Sequence, residues 1–167
     1  MKRGTKIGWL LIALSVILSV WVIVSQSSDA SQTTESGLVL SDDGTVLEQY
    51  TGSGGAVTIP DSVTTISAGV FKEKDVTQVI MPSSVTSMGT GVFSGCSSLA
   101  SVSLSASLNS IPEDSFRECL SLSSVTIPES ATTIASNAFY GCASLSSVSI
   151  PASVSSISTD AFSGCGN

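Results

Sequence analysis

The residues best suited to chemistry are four cysteines, Cys96, Cys119, Cys142 and Cys165, which recur every 23 residues. Four thiols suggest a zinc site or disulfides. If the spacing reflects stacked repeats, however, the thiols form a line about 14 Å long with about 4.8 Å between neighbours, which cannot converge on one metal ion. Stacked side chains also point the same way, which disfavours disulfides, although disulfides remain the alternative. We expect a column of buried thiols that fill the core, with no metal and no cofactor.

Other catalytic residues are sparse. The sequence has no histidine, which removes the usual general base and the Ser-His-Asp arrangement. Lys72 or Lys74 could activate a serine, but both lie in a polar turn where a solvated charge is the simpler interpretation. Glu113 and Asp114 are adjacent acids, and we interpret them as capping the turn before Phe116 rather than as a catalytic pair. We therefore expect no enzymatic activity.

The cysteines belong to a repeating unit that is marked by phenylalanine. The steps between successive phenylalanines are 22, 23, 23 and 23 residues, and the phenylalanines are Phe71, Phe93, Phe116, Phe139 and Phe162. An apolar residue lies twelve positions before each one, followed by proline in four copies and by Ser105 in the third. A second apolar residue lies five positions before each phenylalanine, as Ile111 does before Phe116. One such unit cannot close a core alone, so the copies must stack.

Each unit predicts two short strands and a turn. The alternation around Val102, Ser103 and Leu104 indicates a first strand with one buried face, and the segment from Leu108 to Ile111 indicates a second. The residues two positions before each phenylalanine suit a helix cap or a positive φ, and they are Gly69, Gly91, Asp114, Asn137 and Asp160. We expect a short helical turn to follow, which carries the phenylalanine inward.

This pattern closely resembles the BspA-type leucine-rich repeat of bacterial and protozoan surface proteins. The resemblance covers Val57 to Asn167 and rests on Ile-Pro, Val-x-x-Ile, Ala-Phe and Gly-Cys at fixed spacing. The first copy lacks both Gly and Cys, and Glu118 replaces the glycine of the third. The resemblance implies an α/β-type repeat solenoid that is mostly β, with short helical turns. It also implies about five rungs in a right-handed, gently curved stack, a parallel sheet on the concave side, and adhesion or protein binding rather than catalysis.

The N-terminus predicts export. Three basic residues precede Ile7 to Val24, an uncharged apolar run of eighteen residues that fits either a signal peptide or a membrane anchor. We favour an uncleaved hydrophobic helix, because the run is long for a signal and Ser28-Asp29-Ala30 is a poor cleavage motif. Residues 1–24 are thus the signal or anchor, and residues 25–37 form a Ser/Thr-rich linker.

Residues 38–56 are expected to cap the first of the repeats, which occupy residues 57–167. Two short strand candidates flank Asp42-Asp43-Gly44, which is a turn signal. The adjacent carboxylates Asp42 and Asp43 lack the alternating spacing of a calcium-binding loop. We therefore predict a hairpin at this position.

The predicted outer surface is dominated by hydroxyl groups. The candidate binding residues lie at outward positions of the first strands and are Gln78, Ile80, Ser101, Ser103, Ser124, Thr126, Ser147 and Ser149. They include no aromatic or arginine anchor, so we expect weak or avidity-dependent binding. The mixture of Ser and Thr disfavours an ice-binding array. After Val24 the chain has three basic residues against thirteen acidic ones, which argues against a nucleic-acid partner.

We therefore expect an exported surface module that binds a protein ligand, such as a host or matrix surface protein, and that meets the membrane through its N-terminal segment if that segment stays uncleaved. The alternative is a structural repeat array without a ligand. The rung that begins at Ile150 lacks a following strand in this sequence. We expect its open edge to fray or to support end-to-end self-association.

Overall fold

Each repeat contributes two short strands, and strands of successive repeats pair in parallel. The computed structural model describes residues 32–166 as a mostly-β solenoid of about five turns, which confirms the predicted solenoid with parallel sheets. Before the repeats lie β1 (Gln32–Thr33), β2 (Leu38–Leu40) and β3 (Val46–Tyr50). We name each later rung by the phenylalanine that ends it.

The first strands of the rungs form one face of the solenoid. They are β4 (Gly55–Thr58), β6 (Val76–Ile80), β8 (Ser101–Ser103), β10 (Ser124–Thr126) and β12 (Ser147–Ser149). The second strands form another face. They are β5 (Thr65–Ile66), β7 (Ser87–Met88), β9 (Ser110–Ile111), β11 (Thr133–Ile134) and β13 (Ser156–Ile157). Strand β3 pairs in parallel with β5 and so begins the second series.

Both ladders are interrupted at the Phe116 rung. In the first series, β4, β6 and β8 form one sheet and β10 and β12 another. In the second series, β7 ends one sheet and β9 begins the next. The second break has a direct cause. Gly89 and Ala135 each donate an amide hydrogen bond to the preceding rung. The equivalent residue of the Phe116 rung is Pro112, which has no N–H to donate.

The core is built around a column of stacked aromatic rings. Tyr50, which sequence reasoning did not place in the core, begins the column, and its ring lies 5.1 Å from that of Phe71. The five phenylalanine rings then follow one another at 5.1 to 5.2 Å with interplanar angles of 3° to 13°. The apolar positions before each phenylalanine pack around this column, as Ile66 and Ile111 do. In the last rung Ile150 and Ile157 are 42% and 49% exposed.

The prediction of a short helical turn at each phenylalanine is wrong. Residues 32–166 contain hydrogen-bonded turns at these positions and no helix. In the Phe71 rung, Gly69 has φ of 66° and Glu73 has φ of 57°. A left-handed residue on each side of the phenylalanine prevents the repetition of right-handed φ values that a helix requires. The predicted positive φ is confirmed at Gly69 and at its four equivalents.

The predicted hairpin is formed by β2 and β3, which pair antiparallel. Asp43 organises its turn, since its Oδ1 accepts hydrogen bonds from Ser41 Oγ at 2.7 Å, Thr45 N at 3.0 Å and Thr45 Oγ1 at 2.8 Å. These bonds, led by that from the Thr45 amide, lower the pKa of Asp43 to about 2. This supports the turn interpretation of the Asp42-Asp43 pair.

No helix within residues 32–166 is both long enough and apolar enough to cross a membrane. The run from Ile7 to Val24, which carries the anchor and signal-peptide predictions, lies outside these described residues.

Candidate interaction surface

All eight predicted binding residues are exposed on the face formed by the first strands, which we call the first-strand face. Pairing brings them into register as two columns. Gln78 lies opposite Ser101, and Ile80 lies opposite Ser103. On the other side of the break, Ser124 lies opposite Ser147 and Thr126 opposite Ser149. The structure therefore groups these residues into two patches of four.

The hydroxyl groups of the two faces differ in how they are used. At four of the second strands the hydroxyl of the residue just before the strand bonds a carbonyl of the preceding rung, as Thr64 Oγ1 does to Thr45 O at 3.3 Å and Ser155 Oγ to Thr132 O at 3.2 Å. Among the described residues, no side chain of the eight candidates makes a hydrogen bond to the protein. The first-strand hydroxyls are therefore available to a ligand or to water.

A groove separates the two patches. It has a volume of about 420 Å³ and lies between β8 and β10. Its rim carries the exposed hydroxyls of Ser103 and Thr126, and the half-buried Val102 and Leu104 also line it. The interruption of the first-strand ladder thus produces a shallow, uncharged depression in the middle of the predicted binding surface.

The four cysteines form a column of free thiols beside the aromatic stack. Each Sγ lies 2.8 to 3.2 Å from the phenylalanine carbonyl of the preceding rung, as Cys119 does from Phe93 O. Burial raises the pKa of Cys96 to about 11 and of Cys142 to about 12, and it also raises the pKa of Cys119 and Cys165. A thiol that stays protonated is a poor nucleophile, so the column serves packing.

The charged residues considered for catalysis lie apart from this column. Lys72 Nζ is 4.0 Å from Glu73 Oε1, and both side chains are well exposed. Asp114 has φ of 55° in its turn, and its Oδ1 is 4.0 Å from Arg117 Nη1. Residues 32–166 contain no cluster of three or more His, Cys, Asp or Glu residues placed to hold a metal ion. These side chains thus belong to turns.

Sequence reasoning missed one surface cluster outside the strands. The Arg117 guanidinium lies 4.7 Å from the centre of the Tyr140 ring, and the same side chain contacts Glu118 at 3.3 Å. Arg117 and Tyr140 each follow a phenylalanine directly, so their common repeat position was the signal that could have found them. Nearby in the chain, Leu120 is 47% exposed. We call Arg117, Tyr140 and Leu120 the turn-edge cluster.

Comparison with known proteins agrees with this architecture. A family described as BspA type leucine rich repeat region matches residues 49–167 in six copies. No match was found among curated proteins. The family match starts at the end of β3 and includes Tyr50, whose ring begins the aromatic column.

Solved structures of bacterial proteins are also similar. A leucine rich repeat protein of T. pallidum is 32% identical with a TM-score of 0.70, over 74% of this chain and 62% of that one. A leucine rich cell surface protein of Faecalibacterium prausnitzii is 36% identical with a TM-score of 0.71, over 76% of this chain and 35% of that one. The pneumococcal vaccine antigen PcpA shares the fold at 19% identity and a TM-score of 0.68, over 80% of this chain and 36% of that one. The chain thus spans less than two thirds of each of these proteins.

Proposed function

Because the chain belongs to the BspA-type leucine-rich repeat family, we propose that it is an exported cell-surface module that binds a protein ligand through its first-strand face. Leucine-rich repeat domains generally mediate protein–protein interaction and are generally not enzymes. The similar protein from F. prausnitzii is a cell surface protein. The apolar run from Ile7 to Val24 supports export of this chain, either as an anchored or as a released protein.

The observation that carries the proposal is the contrast between the two hydroxyl faces. The hydroxyls of Thr64, Thr86, Thr132 and Ser155, just before the second strands, bond the protein's own carbonyls, whereas the candidates on the first-strand face are exposed and lie in register. A surface of aligned donors and acceptors can bond a partner without first breaking internal bonds. The face contains no aromatic or arginine side chain among the eight candidates, so each contact is weak and affinity depends on several acting together.

The test is a biosensor measurement with the full chain against a panel of extracellular-matrix and cell-surface proteins. A variant that carries Gln78→Ala, Ser101→Ala and Ser147→Ala should lose binding to any ligand found. The matched control carries Thr64→Ala, Thr86→Ala and Thr132→Ala on the second-strand face and should retain it. Loss in the control alone would contradict the assigned face.

A third variant, with Arg117→Ala and Tyr140→Ala, tests the turn-edge cluster instead. Arginine and tyrosine are common anchors of protein interfaces, so loss of binding here alone would move the site to the turns. If no ligand binds the unmodified chain, the alternative of a structural array without a ligand is favoured.

We also propose that this polypeptide self-associates through the face of its Phe162 rung. Ile150 and Ile157 are exposed there, and Phe162 is half-buried. Exposed strand edges beside apolar side chains favour pairing with another chain. Light scattering should show a mass that rises with concentration, and Ile150→Ser with Ile157→Ser should reduce it. A mass independent of concentration would contradict this.

A further inference from the structure

The groove between β8 and β10 is a local opening in a ladder that is otherwise regular. At one end of the first strand, the backbone amide donates a hydrogen bond to the preceding rung, as Ala100 N does to Thr77 O and Ser146 N does to Ser123 O. At the other end it gives Met81 N to Ser103 O and Ile127 N to Ser149 O. Among the described residues, the two equivalent hydrogen bonds, from Ser123 N to Ala100 O and from Leu104 N to Thr126 O, do not form.

The opening is held at both ends. Ser121 donates to Ser97 O from its amide at 3.2 Å and from its hydroxyl at 2.7 Å. Beyond the strands, Ser130 Oγ donates to Leu108 O at 2.7 Å, and β9 and β11 are paired. The Phe116 and Phe139 rungs are therefore joined on either side of a slot, rather than separated as two bodies.

The slot has a distinct chemical character. Its edges carry backbone N–H and C=O groups that the ladder does not satisfy, for example at Leu104 and Ala100. Exposed hydroxyls line its rim, the half-buried Val102 and Leu104 lie between them, and no charged residue lines it. Its volume of about 420 Å³ falls within the range of about 300 to 1,000 Å³ that is usual for small-ligand sites.

We propose that this slot binds an uncharged polyhydroxylated ligand, namely a saccharide. Sugar hydroxyls both donate and accept, so they can bond the Ser and Thr hydroxyls and the unpaired backbone groups together. Val102 and Leu104 pack against the core, and the apolar face of a sugar ring can contact the part of each that the groove leaves exposed. A charged ligand would find no counter-charge here, and burying its charge unpaired would be unfavourable.

An inserted peptide strand fits the slot less well. A strand between β8 and β10 would hold them about 9.6 Å apart, which is twice the usual strand spacing. Their Cα atoms still approach within 8 Å of each other, so insertion would require the solenoid to open. A ligand that lies over the slot and directs single hydroxyl groups into it needs no such opening.

This site goes beyond the proposed protein binding, because it requires no protein ligand and occupies only the centre of the first-strand face. The experiment is an NMR titration of the full chain with N-acetylglucosamine and with cellotetraose, followed through backbone amide shifts. We expect saturable shifts confined to residues 100–104 and 123–127. The dissociation constant should be on the order of 1 mM, as for a small ligand with few anchors.

The variant Ser103→Val with Thr126→Val removes two rim hydroxyls and should weaken saccharide binding at least about tenfold. The matched control is Thr65→Val with Ser87→Val, in β5 and β7 on the second-strand face, whose pairing is regular, and it should bind as the unmodified chain does. Amide spectra show directly whether each variant is folded.

Three results would overturn the proposal. One is the absence of saturable shifts at tens of millimolar saccharide, and another is an equal effect of the two double variants. The third is a response of the same amides to the tripeptide Ala-Ser-Ala but not to saccharides, which would indicate a peptide site. None of these results bears on the biosensor test of protein binding, so the two proposals fail separately.

Discussion

The phenylalanine turns and the first strands of this solenoid repeat with the same period, yet only the turns keep their hydrogen bonds unbroken at the Phe116 rung. Phe71, Phe93, Phe116 and Phe139 each donate an amide hydrogen bond of 2.7 to 2.9 Å to the following rung. The first-strand ladder, by contrast, stops at β8 and resumes at β10.

The difference shows which parts of the repeat tolerate substitution. The Phe116 rung departs from the consensus at Ser105, Pro112, Ser115 and Glu118, but its turn retains both left-handed residues and the stacked ring. A turn fixed by backbone geometry and one large side chain accepts such changes. A short strand depends on every N–H of its edge, and the same rung loses strand pairing on one side of β8 and on one side of β9.

The largest expected effect comes from breaking the continuous column. Phe116→Ala should cost about 3 to 5 kcal/mol in the free energy of unfolding, because a buried ring that stacks on both neighbours is replaced by a cavity. Urea unfolding measures this cost.

Two control variants locate the effect. Phe162→Ala removes a half-buried ring that stacks on Phe139 and should cost about 1 to 1.5 kcal/mol, near half of the transfer free energy of a fully buried ring. Ser103→Ala, at an exposed position, should cost less than about 0.5 kcal/mol. Equal losses from Phe116→Ala and Ser103→Ala would mean that the two faces are assigned wrongly.

The thiol column predicts a weakening of the fold at alkaline pH. The pKa of Cys96 is about 11 when folded and about 8.5 in an unfolded chain. The contribution of this thiol to the free energy of unfolding is therefore complete below about pH 8.5. It declines as the pH rises toward 11, because in this range only the unfolded state releases the proton. Between pH 8.5 and 10 this one thiol should remove about 1.5 kcal/mol of stability.

Urea midpoints measured against pH under reducing conditions test this. In Cys96→Ala the loss of stability between pH 8.5 and 10 should be smaller by that amount. In Cys165→Ala, where the thiol is half-buried, the loss should be reduced less. Parallel pH profiles for Cys96→Ala and the unmodified chain would show that the thiol is not held protonated.

The third prediction concerns the turn of the Phe116 rung, which carries Glu118 at φ of 57° where three other rungs have glycine. Relief of left-handed strain is worth about 1 to 2 kcal/mol, and the exposed contact with Arg117 contributes less than about 1 kcal/mol. Glu118→Gly should therefore stabilise the fold by up to about 1 kcal/mol in thermal or urea unfolding.

The reciprocal control is Gly141→Ala, at φ of 70°. It should destabilise the fold by about 1 kcal/mol or more, since an alanine Cβ is disfavoured in the left-handed region. If both substitutions change stability in the same direction, left-handed backbone strain does not explain a difference between the turns of Glu118 and Gly141.

Much of this structure could be predicted from periodicity. The positions of Phe71 to Phe162, the two strands per repeat and the positive φ at Asp114 follow from which residue types recur at fixed spacing. The helical turn was predicted wrongly because a short turn with two left-handed residues has the same sequence cues as a capped helix. Recurring positions show where a backbone turns but do not distinguish these two hydrogen-bond patterns.

The candidate site was predictable only in outline. Outward positions such as Ser103 and Thr126 follow from strand alternation, and the structure places them on one face. The slot between them depends on small displacements of β8 and β10, which alternation does not encode. Pro112 could have indicated a break in the other ladder, since its missing N–H is visible in the sequence.

The smallest expected effect on stability comes from restoring that N–H. In Pro112→Ala the new amide can donate to Met88 O, as Gly89 does to Ile66 O at 2.8 Å and Ala135 to Ile111 O at 2.9 Å. The added bond is worth about 0.5 to 1.5 kcal/mol, while the loss of proline costs about 0.4 to 1 kcal/mol through the freer unfolded chain, so the net change should be near zero.

Hydrogen exchange is then the informative measurement. The amide of residue 112 should be protected as strongly as those of Gly89 and Ala135, and β7 and β9 should join into one ladder, while the amides of Ser123 and Leu104 beside the slot still exchange rapidly. Fast exchange at residue 112 would show that the missing N–H does not cause the break and that the side chains of the Phe116 rung hold the second strands apart.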